Sequence, residues 1–191
     1  MNLKLSDKDS DEQLMLAYQA GQERAFALLY QRYRQPIFSY LLRNLGHKTQ
    51  AEEVYQEVWL SLIKQRTRYT ATASFRSYLF CIAHSRLLDF YRQQGRLSAN
   101  ESLQEENSAE LLACVSYEPQ AQLEEARLIE RLQFCLKQLP EEQRAVMLLK
   151  LESELTLQSI AEQLNVAFEA LKSRFRYAQK KLQQCLGGND E

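Results

Sequence analysis

Residues 156–182 constrain the fold more than any other segment, because they predict two short helices joined by a tight turn. The first half places Ile160, Ala161 and Leu164 on one helical face, and Asn165 follows as a residue that tolerates a left-handed backbone. The second half carries apolar residues at i, i+4, i+7 and i+11, namely Leu171, Phe175, Ala178 and Leu182. Two helices with one buried face each and this short turn predict a helix-turn-helix.

The opposite face of the second predicted helix is polar and basic. No Asp or Glu occurs from residue 170 to residue 189. Cationic side chains on such a face can neutralise phosphates and reach base edges. We therefore expect double-stranded DNA to be bound by Lys172, Ser173, Arg174, Arg176, Tyr177 and Lys180. An amphipathic helical hairpin with a purely structural role would show the same periodicity.

The rest of the chain also predicts helices, so the expected fold class is all-α. Five Gly and three Pro in 191 residues argue against a β-rich fold with many turns. The N-terminal part contains four amphipathic segments. The first begins with a capping box at Ser10 and Gln13, and the second contains Pro36, which should kink or break it. The third begins with a capping box at Thr49 and Glu52, and the fourth should end at Gly95. A fifth helix is expected to run to Leu139, with Leu128, Leu132, Cys135, Leu136 and Leu139 facing inward.

Charge divides the chain into parts. Residues 1–96 contain 14 Lys and Arg against 9 Asp and Glu, whereas residues 97–142 contain 3 against 10. Periodicity also fades over a polar, acidic stretch, which predicts a linker. We expect an N-terminal helical domain over 1–96, an acidic linker over 97–118, and a C-terminal helix-turn-helix domain over 119–191.

Several functional classes find no support in the sequence. Nucleotide-binding glycine loops, metalloprotease motifs and nucleophile elbows are missing, and the presence of only two histidines argues against a His-based catalytic site, so we expect no enzyme and no cofactor. Cys81 and His84 lie three residues apart, but no second pair accompanies them, and a buried thiol is the simpler interpretation. The four cysteines form no disulfide framework, and no signal or membrane-spanning segment is evident. We expect a cytoplasmic protein with reduced cysteines.

Two N-terminal stretches are candidates for binding. Within residues 51–60, a polar face is formed by Glu53, Gln56, Glu57 and Leu60 at i, i+3, i+4 and i+7. The adjacent Trp59 can be either an exposed protein-binding anchor or a core residue. Residues 65–96 interleave arginines with aromatic rings, a pattern that suits single-stranded nucleic acid. The candidates near the expected helix interruption are Arg66, Tyr69, Phe75, Arg76 and Tyr78.

Five motifs in this order resemble a bacterial RNA polymerase sigma factor of the extracytoplasmic-function type. They are FALLYQRY at 26–33, AEEVYQEVWL at 51–60, FRSYLFCIAHSRLLDFYR at 75–92, LKQLPEEQRAV at 136–146, and the helix-turn-helix. The resemblance covers residues 11–96 and 120–186. Glu169–Ala170 stands where the family commonly has Gly-Thr, Tyr177 where Arg is frequent, and Ser159 where Glu is usual.

The resemblance implies roles for the candidate residues. Glu53, Gln56 and Glu57 would contact the clamp helices of core RNA polymerase. Residues 66–78 would capture an unpaired base of the downstream promoter element, and Lys172, Ser173, Arg176 and Tyr177 would bind the upstream element. Many members of the family are held inactive by an anti-sigma protein, which makes such a protein a further candidate partner that no residue here identifies. Two other functions remain open: a stand-alone helix-turn-helix regulator, and a helical adaptor without DNA binding.

Overall fold

Eight α-helices make up the computed structural model, which describes residues 6, 8–98 and 119–187, with side chains at 6, 8–95 and 127–187. Within these residues there is no β-strand, which confirms the all-α fold. The helices are α1 Asp11–Gln19, α2 Glu23–Leu45, α3 Lys48–Gln65, α4 Phe75–Ser98, α5 Pro119–Lys137, α6 Glu141–Ser153, α7 Leu157–Leu164 and α8 Phe168–Gly187. The predicted linker lies almost wholly outside the described residues. No helix in the described ranges has the length and apolarity that a membrane span requires.

Helices α1 to α4 make up the N-terminal unit, and their buried apolar residues belong to a core that continues into α5 to α8. The capping box at Ser10 and Gln13 is confirmed, since each residue's side chain accepts a hydrogen bond from the other's backbone N–H. Helix α1 also supports α4, because the Glu12 carboxylate accepts a hydrogen bond of 2.8 Å from the Phe75 N–H at the start of that helix. This hydrogen bond satisfies one of the free donors at a helix N-terminus. It lowers the pKa of Glu12 below its ordinary value.

Two predicted helix boundaries in this unit are wrong, and of the kink or break expected at Pro36 the break does not occur. Helix α2 continues through Pro36, because Tyr33 and Ile37 on either side are buried and their packing outweighs the missing backbone hydrogen bond. Helix α3 begins at Lys48 with His47 as its N-cap, and no capping box forms at Thr49. Helix α4 passes Gly95 and ends at Ser98, since a helical glycine weakens a helix without ending it.

Helices α5 to α8 form the C-terminal unit, in which α8 packs against α5, α6 and α7. Helix α5 ends at Lys137, two residues earlier than expected. Cys135, Leu136 and Leu139 are buried as predicted, but Leu128 and Leu132 are 62% and 40% exposed. Those two leucines lie on the part of α5 before Cys135, where the side chains described are largely exposed.

The expectation of four reduced cysteines is also corrected, because Cys135 on α5 and Cys185 on α8 form a disulfide. Their Cα atoms are 5.8 Å apart, and 50 residues of sequence separate them. Only the contact between α5 and α8 brings the two thiols together, so the spacing of cysteines along the chain could not reveal the pair. The disulfide ties the last turns of α8 to the rest of the C-terminal unit.

The two units pack against each other through α6, which contacts α4 and α2 of the N-terminal unit. The C-terminal end of α6 meets the N-terminal end of α4. There, Ser77 donates a hydrogen bond from Oγ to the Ser153 carbonyl, and Arg76 donates one of 2.7 Å from Nε to the Glu152 carbonyl. These contacts satisfy two of the carbonyls that a helix C-terminus leaves free.

Candidate polymerase and nucleic-acid interfaces

The polar face predicted on α3 is exposed. Glu53, Gln56 and Glu57 face solvent, and Leu60 beside them is 44% exposed. Val54 and Val58 lie on the other side of the helix and are buried, which fixes the orientation of the exposed face. The result is a row of acceptors next to an apolar side chain, an arrangement suited to binding another protein.

Trp59 belongs to the core rather than to this exposed face. It is 6% exposed, and its ring centroid lies 4.8 Å from that of Tyr30 and 5.8 Å from that of Phe26. Of the two interpretations left open by the sequence, burial is therefore the one observed. The aromatic cluster holds α3 against α2 and so positions Glu53, Gln56 and Glu57.

The segment between α3 and α4 places its aromatic residues differently from the sequence expectation. After a short 3-10 helix at Arg66–Arg68, Tyr69 turns inward and is 3% exposed. Phe75 is fully buried, 5.4 Å from the ring of Tyr33 and 6.2 Å from that of Tyr69. Neither ring presents a free face for a nucleobase. Both are core residues here, because the chain folds back over the N-terminal end of α4.

Tyr78, unlike Tyr69 and Phe75, is only partly buried, and it lines a cavity. The cavity has a volume of about 310 Å³, and its lining includes Tyr78, Arg68 and Arg86 together with Cys81. Burial raises the pKa of the Tyr78 hydroxyl, so the ring is neutral at physiological pH. Two arginines beside a partly exposed ring can neutralise a phosphate while the ring stacks on a base. Arg68 and Arg86 were not singled out from the sequence, although both belong to its arginine-rich pattern.

Three arginines of this region already have partners. Arg86 forms an ion pair of 3.3 Å with Asp89 on the same helix. Arg66 lies over the ring of Tyr18, with its guanidinium carbon 5.8 Å from the ring centroid. Arg76 forms a hydrogen-bonded ion pair of 2.8 Å with the Glu152 carboxylate of α6. In this arrangement of the two units, Arg76 is therefore occupied by the C-terminal unit.

The helix-turn-helix forms as predicted, with α7 and α8 as its two helices. Asn165 adopts the left-handed conformation with φ of 52°, and the Val166 N–H donates 3.0 Å to the Ala161 carbonyl across the turn. The Thr156 hydroxyl caps α7 by accepting 3.1 Å from the Ser159 N–H. Leu171 and Ala178 are buried, so α8 lies with its apolar stripe inward.

Most of the predicted DNA-binding residues of α8 are on its exposed side. Lys172, Arg176, Tyr177 and Lys180 face solvent, while Ser173 is half-buried and donates to the Ala170 carbonyl at 2.9 Å. Lys172 also contacts the Glu169 carboxylate at 3.7 Å, so the acidic residue at the start of α8 partly neutralises it. Arg176, Tyr177 and Lys180 form the most accessible part of this surface.

Arg174 points toward α6 instead of the exposed face. It forms an ion pair of 2.9 Å with Glu142 and lines a cavity of about 400 Å³ between the two units, together with His84. Burial, with a smaller effect of Arg174, lowers the pKa of His84 to about 4. His84 is therefore neutral, and its Nδ1 lies 3.1 Å from the Tyr40 hydroxyl. Among the residues described, no group of His, Cys, Asp and Glu is placed to hold a metal ion.

Comparison with known proteins places these features in one family. Residues 29–97 match the family model for sigma-70 region 2, and residues 129–182 match that for sigma-70 region 4. Both matches fall on the units that carry the surfaces described above.

Curated relatives are similar over most of their length. The RNA polymerase sigma factor YlaC of Bacillus subtilis (strain 168) is 25% identical over 82% of this chain and 88% of its own. The extracytoplasmic-function sigma factor SigK of Mycobacterium ulcerans (strain Agy99) is 28% identical over 87% of this chain and 88% of its own.

Solved structures share the fold. CnrH, in a complex with the cytosolic domain of CnrY, has a TM-score of 0.60 and 22% identity, covering 95% of this chain and 100% of its own. RpoE of Bartonella quintana, in a complex with the anti-sigma factor NepR, has a TM-score of 0.66 and 17% identity, covering 87% and 98%. With both sigma-70 regions matched in order, the chain belongs to the sigma-70 family as a sigma factor of the extracytoplasmic-function type.

Proposed function

We propose that this sigma factor binds core RNA polymerase through the exposed face of α3, recognises a two-part promoter, and assists the separation of its strands. The observation that supports the proposal is that two surfaces with the chemistry suited to nucleic acid lie on separate helical units. One is the outer face of α8, and the other is the arginine-lined cavity at Tyr78. A two-part DNA site suits two such units.

The outer face of α8 would bind the upstream promoter element as double-stranded DNA. Arg176 and Tyr177 are exposed and stand where a recognition helix presents side chains to base edges. Lys172 and Lys180 would contact phosphates, which fixes the position of the helix without reading sequence. Lys172, Ser173 and Arg174 are already engaged within the protein, so we assign base reading chiefly to Arg176 and Tyr177.

The cavity at Tyr78 would receive an unpaired base of the downstream element. A base drawn out of the duplex is exposed on both faces, and stacking on an aromatic ring compensates for part of the lost stacking. Tyr78 supplies the ring, while Arg68 and Arg86 supply positive charge near the strand. This role needs no catalytic group and no cofactor, because the protein binds a conformation of DNA and leaves its bonds unchanged.

The α3 face would hold the sigma factor on the polymerase, which requires a cytoplasmic location. The test is a pair of substitutions, Gln56→Ala and Glu57→Lys, assayed by co-elution with purified core polymerase. Both residues are exposed, so helix content and melting temperature should not change. We expect the double variant to lose co-elution, because reversing one charge at an interface weakens binding strongly.

Lys48 provides the control, since it is an exposed charged residue in the first turn of α3, on a different side of the helix from Glu53 and Glu57. Lys48→Glu, which also reverses one charge, should co-elute like the unmodified protein. If the Gln56→Ala, Glu57→Lys variant co-elutes as well as the unmodified protein, these two residues do not contact the polymerase. An anti-sigma protein is a further proposed partner, supported by the family and by the similar structure of RpoE, which is in a complex with the anti-sigma factor NepR.

A further inference from the structure

A cavity of about 310 Å³ lies between α3 and α4, beside the exposed face of α3. Glu53 and Glu57 line it from α3, and both belong to the face proposed to bind the polymerase. Asp89 and Gln93 line it from α4. The proposed polymerase-binding face therefore continues across this cavity onto α4. We call the cavity between these four residues the α3–α4 cleft.

The base of the α3–α4 cleft is apolar. Val54 and Phe90 line it and are buried, whereas the two glutamates and Gln93 are exposed. A side chain that enters from a partner thus contacts apolar groups at the base and polar groups at the rim. Lysine and arginine side chains match this division, because each has an aliphatic stem and a charged end.

The charge of the cleft is not balanced within the protein. Among the described residues that line it, Arg86 alone is cationic, and its ion pair is with Asp89. Asp89 also pairs with Arg92 at 3.0 Å. Neither Glu53 nor Glu57 has an ion pair with any residue in the described part of the chain. Because these glutamates stand at i and i+4 of α3, two neighbouring negative charges remain uncompensated.

We propose that the α3–α4 cleft receives one lysine or arginine side chain of core RNA polymerase. Its aliphatic stem packs on Val54 and Phe90, and its charged end lies between Glu53 and Glu57. The proposal rests on the proposed function. It extends the polymerase-binding surface from α3 onto α4, and it identifies the chemistry of the partner group as basic.

Other side chains fit the cleft less well. Binding of the polymerase removes water from the cleft, and a carboxylate that loses water without gaining a partner is strongly unfavourable. An uncharged side chain would leave both glutamates in that situation, and an acidic one would add repulsion. A basic side chain gives both glutamates a partner and relieves the repulsion between them.

The test introduces charge of either sign at Gln93, which is exposed and uncharged at the rim of the cleft. Gln93→Lys places a second cation beside the glutamates and should raise the Kd for core polymerase about two- to fivefold. Gln93→Glu adds a third acceptor for the incoming cation and should lower the Kd by a similar factor. Since Gln93 is exposed, both variants should keep the melting temperature of the unmodified chain.

The assay is a titration of the fluorescently labelled full chain with purified core polymerase at physiological salt. Charges more than about 8 Å apart are largely screened under this condition, so the assay responds mainly to charges close to the interface. The difference between Gln93→Lys and Gln93→Glu should shrink at about 1 M salt, where screening acts over about 3 Å.

Gln35 of α2 provides the matched control. It is exposed and lies two residues, or about 200° around the helix, from the buried Tyr33, so it faces away from the core. It does not line the α3–α4 cleft. Gln35→Lys and Gln35→Glu make the same changes of charge as the Gln93 variants and should leave the Kd unchanged.

Only opposite shifts in the expected directions support the proposal. Folded Gln93 variants that both bind like the unmodified chain would show that no polymerase group enters the cleft. Weaker binding by both variants would indicate an uncharged occupant, and tighter binding by Gln93→Lys an acidic one, and either result would refute a basic side chain.

These results leave the proposed function intact if the unmodified chain binds core polymerase and the Gln56→Ala, Glu57→Lys variant does not. Failure of the unmodified, folded chain to bind core polymerase would instead refute the proposed function itself.

Discussion

Two separate substitutions, Phe75→Ala and Tyr78→Ala, should have different effects, because Phe75 is a core residue and Tyr78, three residues later, is the ring proposed to bind DNA. Phe75 is fully buried, so Phe75→Ala leaves a cavity in the core and should cost about 3–5 kcal/mol of unfolding free energy. For a chain of this size, that lowers the melting temperature by roughly 6–20 °C. Tyr78 is only partly buried and lines a solvent-accessible cavity, so Tyr78→Ala should cost roughly 1–2 kcal/mol.

Among folded molecules, Tyr78→Ala should slow promoter opening more than Phe75→Ala does, although it destabilises the protein less. Stacking of one base contributes about 1–3 kcal/mol, so Tyr78→Ala should slow formation of the open complex roughly 5- to 150-fold. The assay is a time course of promoter melting by the reconstituted polymerase, at a temperature where both variants remain folded. Tyr78→Phe keeps the ring and removes only the hydroxyl, so it should melt the promoter at nearly the unmodified rate.

Two results would refute this reasoning. Melting of the promoter by Tyr78→Ala at the unmodified rate would show that the ring does not stack on a base. A Phe75→Ala variant as stable as the unmodified chain would show that Phe75 is not the core residue described.

Three other predictions concern particular contacts. Glu12→Gln should lower the free energy of unfolding by about 1 kcal/mol at pH 7, because the Glu12 carboxylate caps α4. The pKa of Glu12 is lower in the folded state than its ordinary value of 4.5, so the difference between the two chains should persist above pH 4.5 and disappear as the pH falls through the folded-state pKa. Denaturant unfolding at a series of pH values measures this. Cys185→Ser should destabilise the C-terminal unit by about 4 kcal/mol without reductant, which is the loop-entropy estimate for a separation of 50 residues. The unmodified chain should lose the same amount of unfolding free energy when dithiothreitol reduces its disulfide. Arg176→Ala should relax preference at one position of the upstream element at a cost of about 1–3 kcal/mol, whereas Lys180→Ala should weaken all sequences evenly; unchanged transcription by both variants would mean that α8 does not bind DNA.

The helices and their faces could be predicted from the sequence, because periodicity records which side of a helix is buried. The inward stripe of α8 and the exposed row on α3 both follow directly from spacing. Helix ends were less predictable, since packing across α2 and α4 outweighs the local effects of Pro36 and Gly95.

Contacts between distant segments could not be predicted from periodicity. Tyr69 and Phe75 lie at the irregular junction before α4, where no repeating pattern indicates which way a ring points. Glu152 and Arg43 form an ion pair although 109 residues separate them, and only the packing of α6 on α2 and α4 brings them together. Arg174 was placed on the DNA-binding face by its position beside that face, but its ion pair with Glu142 turns it toward α6.

The most direct test of the central claim is transcription by core polymerase reconstituted with this chain. Random promoter libraries should yield transcripts from templates that share two short sequence elements at a fixed spacing, and none when core polymerase is used alone. Replacement of Gln56 by Ala and Glu57 by Lys should abolish these transcripts, while Arg176→Ala should change the preferred bases of the upstream element only. Purified, folded protein that neither binds core polymerase nor directs such transcripts would contradict the account.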